Sequence, residues 1–463
     1  MAANFLDRSH TVAGPGFSRW LVPPAAICIH LCIGQAYAWS VFNLPLSHYF
    51  GISASAPNDW TIAQVTWTFS IAIVFLGLAA AFLGKWVEDV GPRKAMFASA
   101  LCFAGGFIVA SGGAAIHNLW LIFFGYGVIG GIGLGIGYIS PVSTLIKWFP
   151  DRPGLATGTA IMGFGGGALI GAPLAVQLMK HFSTPTSTGV TETMLTMGIV
   201  YFLFMMVGVF IVRVAPPGWK PAGYVAPAAS EKRITNKNVV ASEAIRTPQF
   251  YLLWGVLFLN VTAGIGIISQ ASPMIQEMFP GRFPHLTPAQ TALSAAAAAG
   301  FVGLLSLFNM AGRIFWASLS DFMGRRNTYM IFFALGAVLY ALIPTFGAMG
   351  SIGLFVLACV IILTMYGGGF ATIPAYLKDM FGAIEVGAIH GRLLTAWSAA
   401  GVAGPVLVSY IREYQIAHGV AKADAYSTTM YVMAVLLVIG FICNYLVTAV
   451  GERHYVETKA QTA

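Results

Sequence analysis

The stretch GKWVEDVGPRK at residues 84–94 returns in altered form as ASLSDFMGRRN at residues 317–327. Each copy follows a long apolar run, the second of the chain in one case and the eighth in the other. Each presents an acid (Glu88, Asp321), a glycine three residues later (Gly91, Gly324), and a base two or three residues beyond (Arg93 and Lys94, then Arg326). Two such loops, six apolar runs apart, imply a chain built from two related halves. Glycine lets helices approach closely, and an acid at a helix end can pair across an interface. Gly84, Glu88, Gly91, Arg93, Lys94, Asp321, Gly324 and Arg326 are therefore expected to lie at an interface between the halves.

Working outward, apolar runs fall at about 20–46, 60–84, 94–115, 119–146, 154–180 and 194–213. A second set falls at about 249–275, 289–319, 327–347, 351–376, 389–411 and 428–450. Of the 463 residues 57% are hydrophobic and only 9% charged, against about 25% charged in a soluble domain. The mean hydropathy is +0.78, so lipid is the solvent for most of the chain. A spanning helix takes about 20 apolar residues, and helices satisfy their own backbone polar groups within the bilayer. The expected fold is an all-α membrane protein with twelve transmembrane helices in two six-helix, pseudo-symmetric bundles. The segments are 1–19 (N-terminal), 20–213 (first bundle), 214–248 (linker), 249–450 (second bundle) and 451–463 (tail).

Lysine and arginine set the orientation. With the N-terminus inside, the inside segments hold nineteen of these residues and the outside segments only Lys180, Arg282, Arg412 and Lys422. Both termini are thus expected in the cytoplasm, with the chain multi-pass in the inner membrane. The same bias accounts for the net charge of +8 and removes the case for nucleic acid. Residues 1–19 lack the apolar core of a cleaved signal, so the first helix is expected to stay. The five cysteines all lie in apolar runs, with no disulfide framework or zinc spacing. No metal or cofactor is expected.

The sequence GYGVIG (125–130) formally fits a dinucleotide fingerprint, but no strand precedes it and the run is apolar, so the motif carries nothing. Gly127, Gly131 and Gly135, with Gly163, Gly167 and Gly171, instead mark smooth helix faces. The first helix places His30 about ten residues, or ~15 Å, beyond Trp20 and near the bilayer centre. A lone membrane histidine reads first as a neutral hydrogen-bonding group; the alternative is a site that takes up a proton.

Arg313 is the most informative residue. It lies eight residues before Asp321, about 12 Å inside the boundary, and all sixteen acids fall in loops, tails or helix ends. A cation at that depth costs about 2.5–3.5 kcal/mol on insertion scales. Snorkelling would relieve it, but a helical side chain leans toward its own N-terminus, here away from the near interface. Val302, Ser306, Asn309 and Arg313 share one stripe, opposite Leu304, Phe308, Ala311 and Phe315. The guanidinium therefore faces the interior, either to bind a substrate anion or to pair with helix ends or carbonyls. A carboxylate suits its two parallel N–H donors. Tyr37, Tyr138, Tyr366 and Trp397 recur near mid-helix on four different helices and either pack or wall a small pocket.

The 84–94 loop resembles the signature of the major facilitator superfamily, with Asp89 where a base is usual; the resemblance implies that the residues of the two loops stabilise one gated state and do not bind substrate. The whole chain resembles the oxalate/formate antiporter family of that superfamily, relatives of the animal monocarboxylate transporters. The resemblance rests on GQAYAWSVF (34–42), KWFPDRPGLATG (147–158), NMAGRIFWASLSDFMGRRN (309–327), GGGFATIPAY (367–376) and FGAIEVGAIHGRLLTAWSAAG (381–401). It implies proton symport or exchange of small carboxylates such as formate, oxalate, lactate or pyruvate, with Arg313 as the substrate arginine. Two positions depart from the pattern. Trp397 stands where oxalate-type members have a second base, which favours a monocarboxylate. Asn309 stands where the animal carriers have an aspartate, which leaves His30 as the first candidate for proton coupling. The rivals are a carrier of larger neutral or amphipathic compounds such as a vitamin or drug, and a non-transporting nutrient sensor. An enzyme is not expected, because no paired nucleophile and base or metal cluster lies at depth. The carrier is expected to act as a monomer in the lipid bilayer, with the carboxylate and, under the symport reading, protons as its partners.

Overall fold

The computed structural model describes residues 5–52, 56–60, 62–221, 223–224, 237–282 and 288–456. Eleven described helices are long and apolar enough to cross a membrane, and the helix that carries Arg313 makes a twelfth. In chain order they are α1 (Arg19–Ala38), α2 (Ile62–Val90), α3 (Pro92–Ala115), α4 (Leu119–Trp148), α5 (Pro153–Phe182) and α6 (Val190–Ile211). The second set is α7 (Pro248–Met278), α8 (Pro288–Met323), α9 (Arg325–Ala348), α10 (Ile352–Phe381), α11 (Val386–Ala417) and α12 (Ser427–Tyr445). Within each set of six the helices pack on one another. The sets meet where α5 packs on α8 and α10, and where α11 packs on α2 and α4. Both described chain ends lie on one face, called here the terminal face.

The glycine stripes read from the sequence build these contacts. A Cβ at Gly131 would lie 2.7 Å from the Ala72 carbonyl oxygen, and one at Gly135 2.3 Å from that of Leu76, so the α4 stripe is where α2 packs. A Cβ at Gly167 would lie 2.3 Å from the Leu31 carbonyl oxygen, so the α5 stripe receives α1. Val302 is a stripe residue whose side chain lies outside the described set. Of the others, Asn309 and Arg313 are buried, whereas Phe308 and Phe315 face outward.

Three spans are not continuous α-helices. In α1 the α-helix Val22–Ile33 tightens to a 3₁₀ stretch at Gly34–Ala38. In α4 the glycine-rich Phe123–Gly130 widens to π-helix. In α11, Leu394 interrupts the run between Val386–Leu393 and Thr395–Ala417. Such local changes of helical pitch gather at functional hinges, and two of these flank residues of the site described next.

On the terminal face, Gly91 and Gly324 hold matching backbone conformations, with φ of +84° and +87°, just before α3 and α9. That left-handed turn favours glycine, and it is the clearest structural echo of the two-half repeat. Arg93, by contrast, does not reach the partner half. It donates to the carbonyls of Phe5 (3.0 Å) and Val212 (3.3 Å) and lies over the Phe5 ring, tying the N-terminal segment to α3 and α6.

Candidate functional site

Arg313 is held where α8 is squeezed between α5 and α10. A Cβ at Gly158 would stand 2.6 Å from the Arg313 carbonyl oxygen, and one at Gly367 2.1 Å from that of Asn309. With backbones this close, the arginine side chain is fully buried. Its guanidinium carbon lies 5.7 Å from the ring centre of Phe164 on α5 and 5.5 Å from that of Phe370 on α10, distances at which a cation gains from aromatic faces. Nε donates to Oδ1 of Asn309 at 3.3 Å, and Nη1 donates to the Ile161 carbonyl, also at 3.3 Å. Nη2 has no hydrogen-bond partner among the described residues. Among the described residues, no ion pair includes Arg313.

The four aromatics singled out from sequence converge here. The Trp397 ring lies 5.3 Å from that of Tyr138 and 6.3 Å from that of Tyr37. It also packs on Phe370 at 4.5 Å and Phe164 at 5.4 Å, so the arginine and the tryptophan share two phenyl rings. The hydroxyls of Tyr37 and Tyr366 lie 3.3 Å apart, joining α1 to α10 across the two halves. Helix polarity places this bond on the side of Arg313 away from the terminal face. The Tyr138 hydroxyl and the Trp397 indole N–H are buried without hydrogen-bond partners. Arg313 Nη2 and these two groups are all donors, and leaving a buried donor unpaired costs about 1–3 kcal/mol. The guanidinium and the indole can only donate, whereas the phenol hydroxyl both donates and accepts, and a carboxylate supplies acceptors for all three.

His30 lies on the terminal-face side, its ring 5.5 Å from that of Tyr138. On the far side of Tyr138, at 5.8 Å, is His390 of α11, whose Nε2 is also unpartnered.

The repeated loops seal the terminal face. Glu88 pairs with Lys147 and accepts from the Gly387 amide at 3.1 Å, which places its charge at the N-terminus of α11 in the other half. Asp321 does the same in reverse, accepting from the amides of Gly154 (3.0 Å) and Leu155 (2.9 Å) at the start of α5. A carboxylate at a helix N-terminus meets unpaired N–H groups and the positive end of the helix dipole. At Gly84 a Cβ would lie 2.9 Å from Cα of Ala388. Deeper in, Ser398 of α11 donates to the Ile73 carbonyl of α2 at 2.8 Å.

A model of the Major Facilitator Superfamily matches residues 26–405, and again residues 283–462. The chain belongs to the Major Facilitator Superfamily. Its helices superpose on other facilitators: the transporter FucP in an outward conformation gives a TM-score of 0.62 at 14% identity, covering 93% of this chain and all of that one. The proton:xylose symporter XylE gives 0.64 at 14%, covering 92% and 95%. These two show the fold alone. Among curated relatives, the oxalate:formate antiporter of Oxalobacter formigenes is 26% identical over 84% of this chain and 83% of its own. The apicoplast pyruvate carrier 1 of Toxoplasma gondii is 23% identical over 88% and 86%. Monocarboxylate transporter 9 of Rattus norvegicus is 28% identical over a shorter stretch, 33% and 28%.

In this facilitator the bases of the two loops divide their contacts differently from the loop pattern. Arg325, which the pattern passes over, is buried and binds Asp321, Ser320 and Asp379. Arg326 instead turns to the Tyr445 carbonyl, and Lys94 is exposed. Sequence reasoning also missed Phe164 and Phe370. Both phenylalanines abut glycine triplets, GFGGG at 163–167 and GGGF at 367–370. On such smooth stretches a lone large ring projects, and that signal was available.

Proposed function

We propose that this facilitator carries small carboxylates, monocarboxylates foremost, by alternating access between its halves at residues 20–213 and 249–450. The observation that carries the reading is the buried Arg313 guanidinium, in no ion pair among the described residues, with Nη2, the Tyr138 hydroxyl and the Trp397 N–H there without hydrogen-bond partners. A carboxylate entering from the face opposite the termini meets Nη2 first as a charge and then as a hydrogen-bonding partner. Charge-assisted bonds of this kind are about twice as strong as neutral ones. Asn309 holds Nε and so fixes the plane of the guanidinium. Tyr37 and Tyr366 close over the anion, and Trp397 limits its length.

Binding removes the uncompensated charge, so the loaded site costs less to enclose than the empty one. The latches at Glu88 and Asp321 then set how readily the terminal face opens. The bias of Lys and Arg supports a cytoplasmic terminal face, in a carrier of the inner membrane. The relatives named for oxalate and formate, for pyruvate and for monocarboxylates support the same substrate class.

Counterflow in proteoliposomes with labelled formate, lactate, pyruvate and oxalate tests the reading. At least one is expected to exchange against its own unlabelled pool. Exchange of none of them, with uptake of a neutral compound instead, would overturn it.

A further inference from the structure

His30 meets an unusual pair of partners. Its Nδ1 lies 3.0 Å from the Ala160 carbonyl oxygen on α5, and its Nε2 lies 3.3 Å from the Tyr138 carbonyl oxygen on α4. Both partners are acceptors. A neutral imidazole has one N–H and one lone pair, so it can donate to only one of them and must aim a lone pair at the other. The imidazolium has two N–H groups and satisfies both. The two carbonyls thus form a cradle for one proton.

Arg313 is attached to the same structure. Its Nη1 donates to the carbonyl of Ile161, the residue after Ala160. Two groups able to carry positive charge, one from each half, therefore hang on consecutive carbonyls of α5. Arg313 acts electrostatically on His30. The titratable groups around the imidazole are Arg313 from α8, Tyr138 from α4 and, across the Tyr138 ring, His390 from α11. Among the described residues α5 contributes the Ala160 carbonyl and the hydrogen-only face of Gly163. None of these groups is a carboxylate. With the site empty, a proton on His30 adds a second cation beside the first. A carboxylate on Arg313 supplies the missing negative charge.

We infer that His30 is the proton-binding site of this carrier, filled together with a carboxylate on Arg313, so that anion and proton cross as a neutral pair. This rests on the carboxylate reading of Arg313. Linkage makes the effect reciprocal: each ligand raises the affinity for the other by the same factor. His390, whose ring meets no such pair of carbonyls among the described residues, is not part of the cradle and serves as the control position.

The test uses the full-length protein in weakly buffered detergent solution and in proteoliposomes, with formate, lactate, pyruvate and oxalate as probes. Wild-type protein is expected to take up about one proton per carboxylate bound, with Kd rising by up to about tenfold per pH unit across the His30 titration. His30→Gln keeps amide N–H donors but cannot take the proton. It is expected to bind with a Kd independent of pH, to retain counterflow at equal pH and to lose accumulation driven by a pH gradient. His390→Gln is expected to keep the wild-type pH dependence. Gradient-driven accumulation by His30→Gln would overturn the inference. So would a wild-type Kd that does not change with pH, a result that needs no variant and leaves the carboxylate reading intact. Wild-type exchange of none of the four probes would instead remove the carboxylate reading itself.

Discussion

Replacing Asp321 by asparagine should unseal the terminal face. In the sealed state this carboxylate accepts from two amides of the opposite half, Gly154 at 3.0 Å and Leu155 at 2.9 Å. Its pairing with Arg325 lies within its own half, so that contact survives opening and does not count. Asparagine is close in size, but it has one acceptor oxygen and no charge. One amide bond is lost and the other is reduced to a neutral one. With hydrogen bonds to charged groups worth about 1.5–3 kcal/mol and neutral ones about 1, the sealed state loses about 2–5 kcal/mol relative to the open one. That is about 30- to 5,000-fold in the equilibrium, enough to make a minor open population the major one. Spin labels at the exposed positions Arg152 and Phe322, in a background without the native cysteines, would report the separation of α5 and α8 by pulsed electron resonance. The expected result is a short distance in the parent and a dominant longer one in Asp321→Asn. An unchanged distribution would show that these two amide bonds do not hold the face closed.

Three further outcomes follow from single contacts. Gly158→Val places a Cβ 2.6 Å from the Arg313 carbonyl oxygen; overpacking of this kind costs about 1–3 kcal/mol, so counterflow should fall about tenfold or more while size-exclusion profiles stay monodisperse. Tyr138→Phe and Trp397→Phe each remove one unpartnered donor, and each should weaken carboxylate binding about 5- to 15-fold, the equivalent of ~1–1.5 kcal/mol, measured by titration calorimetry. Burial alone would raise the Asp151 carboxyl, but the Arg19 guanidinium, bonded at 2.7 and 2.9 Å, outweighs it and holds the group below its ordinary 3.8. A depressed folded value means that the contribution of this pair is complete above the ordinary carboxylate range and is lost as pH falls through the lower value. Emission from Trp148 and Trp219, whose rings lie 4.7 Å apart beside Arg19, should therefore hold steady from pH 7 to about 4 and change only below it; Arg19→Gln should move that change to higher pH.

The fold was legible because the bilayer leaves a chain few choices. Apolar run length marked the spans, and the echo of residues 84–94 at 317–327 marked the repeat. Arg313 was legible for the same reason: a cation within an apolar run, far from any acid, stands out without coordinates. The breaks in α1, α4 and α11 were not legible. Phe123–Gly130 is as apolar as its neighbours, and Gly34–Ala38, though more polar than the helix before it, holds no proline; the change of pitch in both is set by what packs on them. The division of labour among bases was hidden as well. Whether Arg325 or Arg326 points inward depends on the turn at Gly324, and the two residue types are identical. The carbonyl pair around His30 comes from α4 and α5, more than 100 residues away in sequence, and carbonyls leave no mark in a sequence.

Equilibrium binding of a labelled carboxylate to the purified protein, with thermal unfolding measured alongside, tests the role of Arg313 most directly. Wild-type protein should bind saturably. Arg313→Lys keeps the charge but loses the planar fork, and should bind at least tenfold more weakly. Arg313→Gln should not bind, and its unfolding temperature should equal or exceed that of the wild type, because a buried charge without an ionic partner is gone. Carboxylate binding by Arg313→Gln with wild-type affinity would contradict the account.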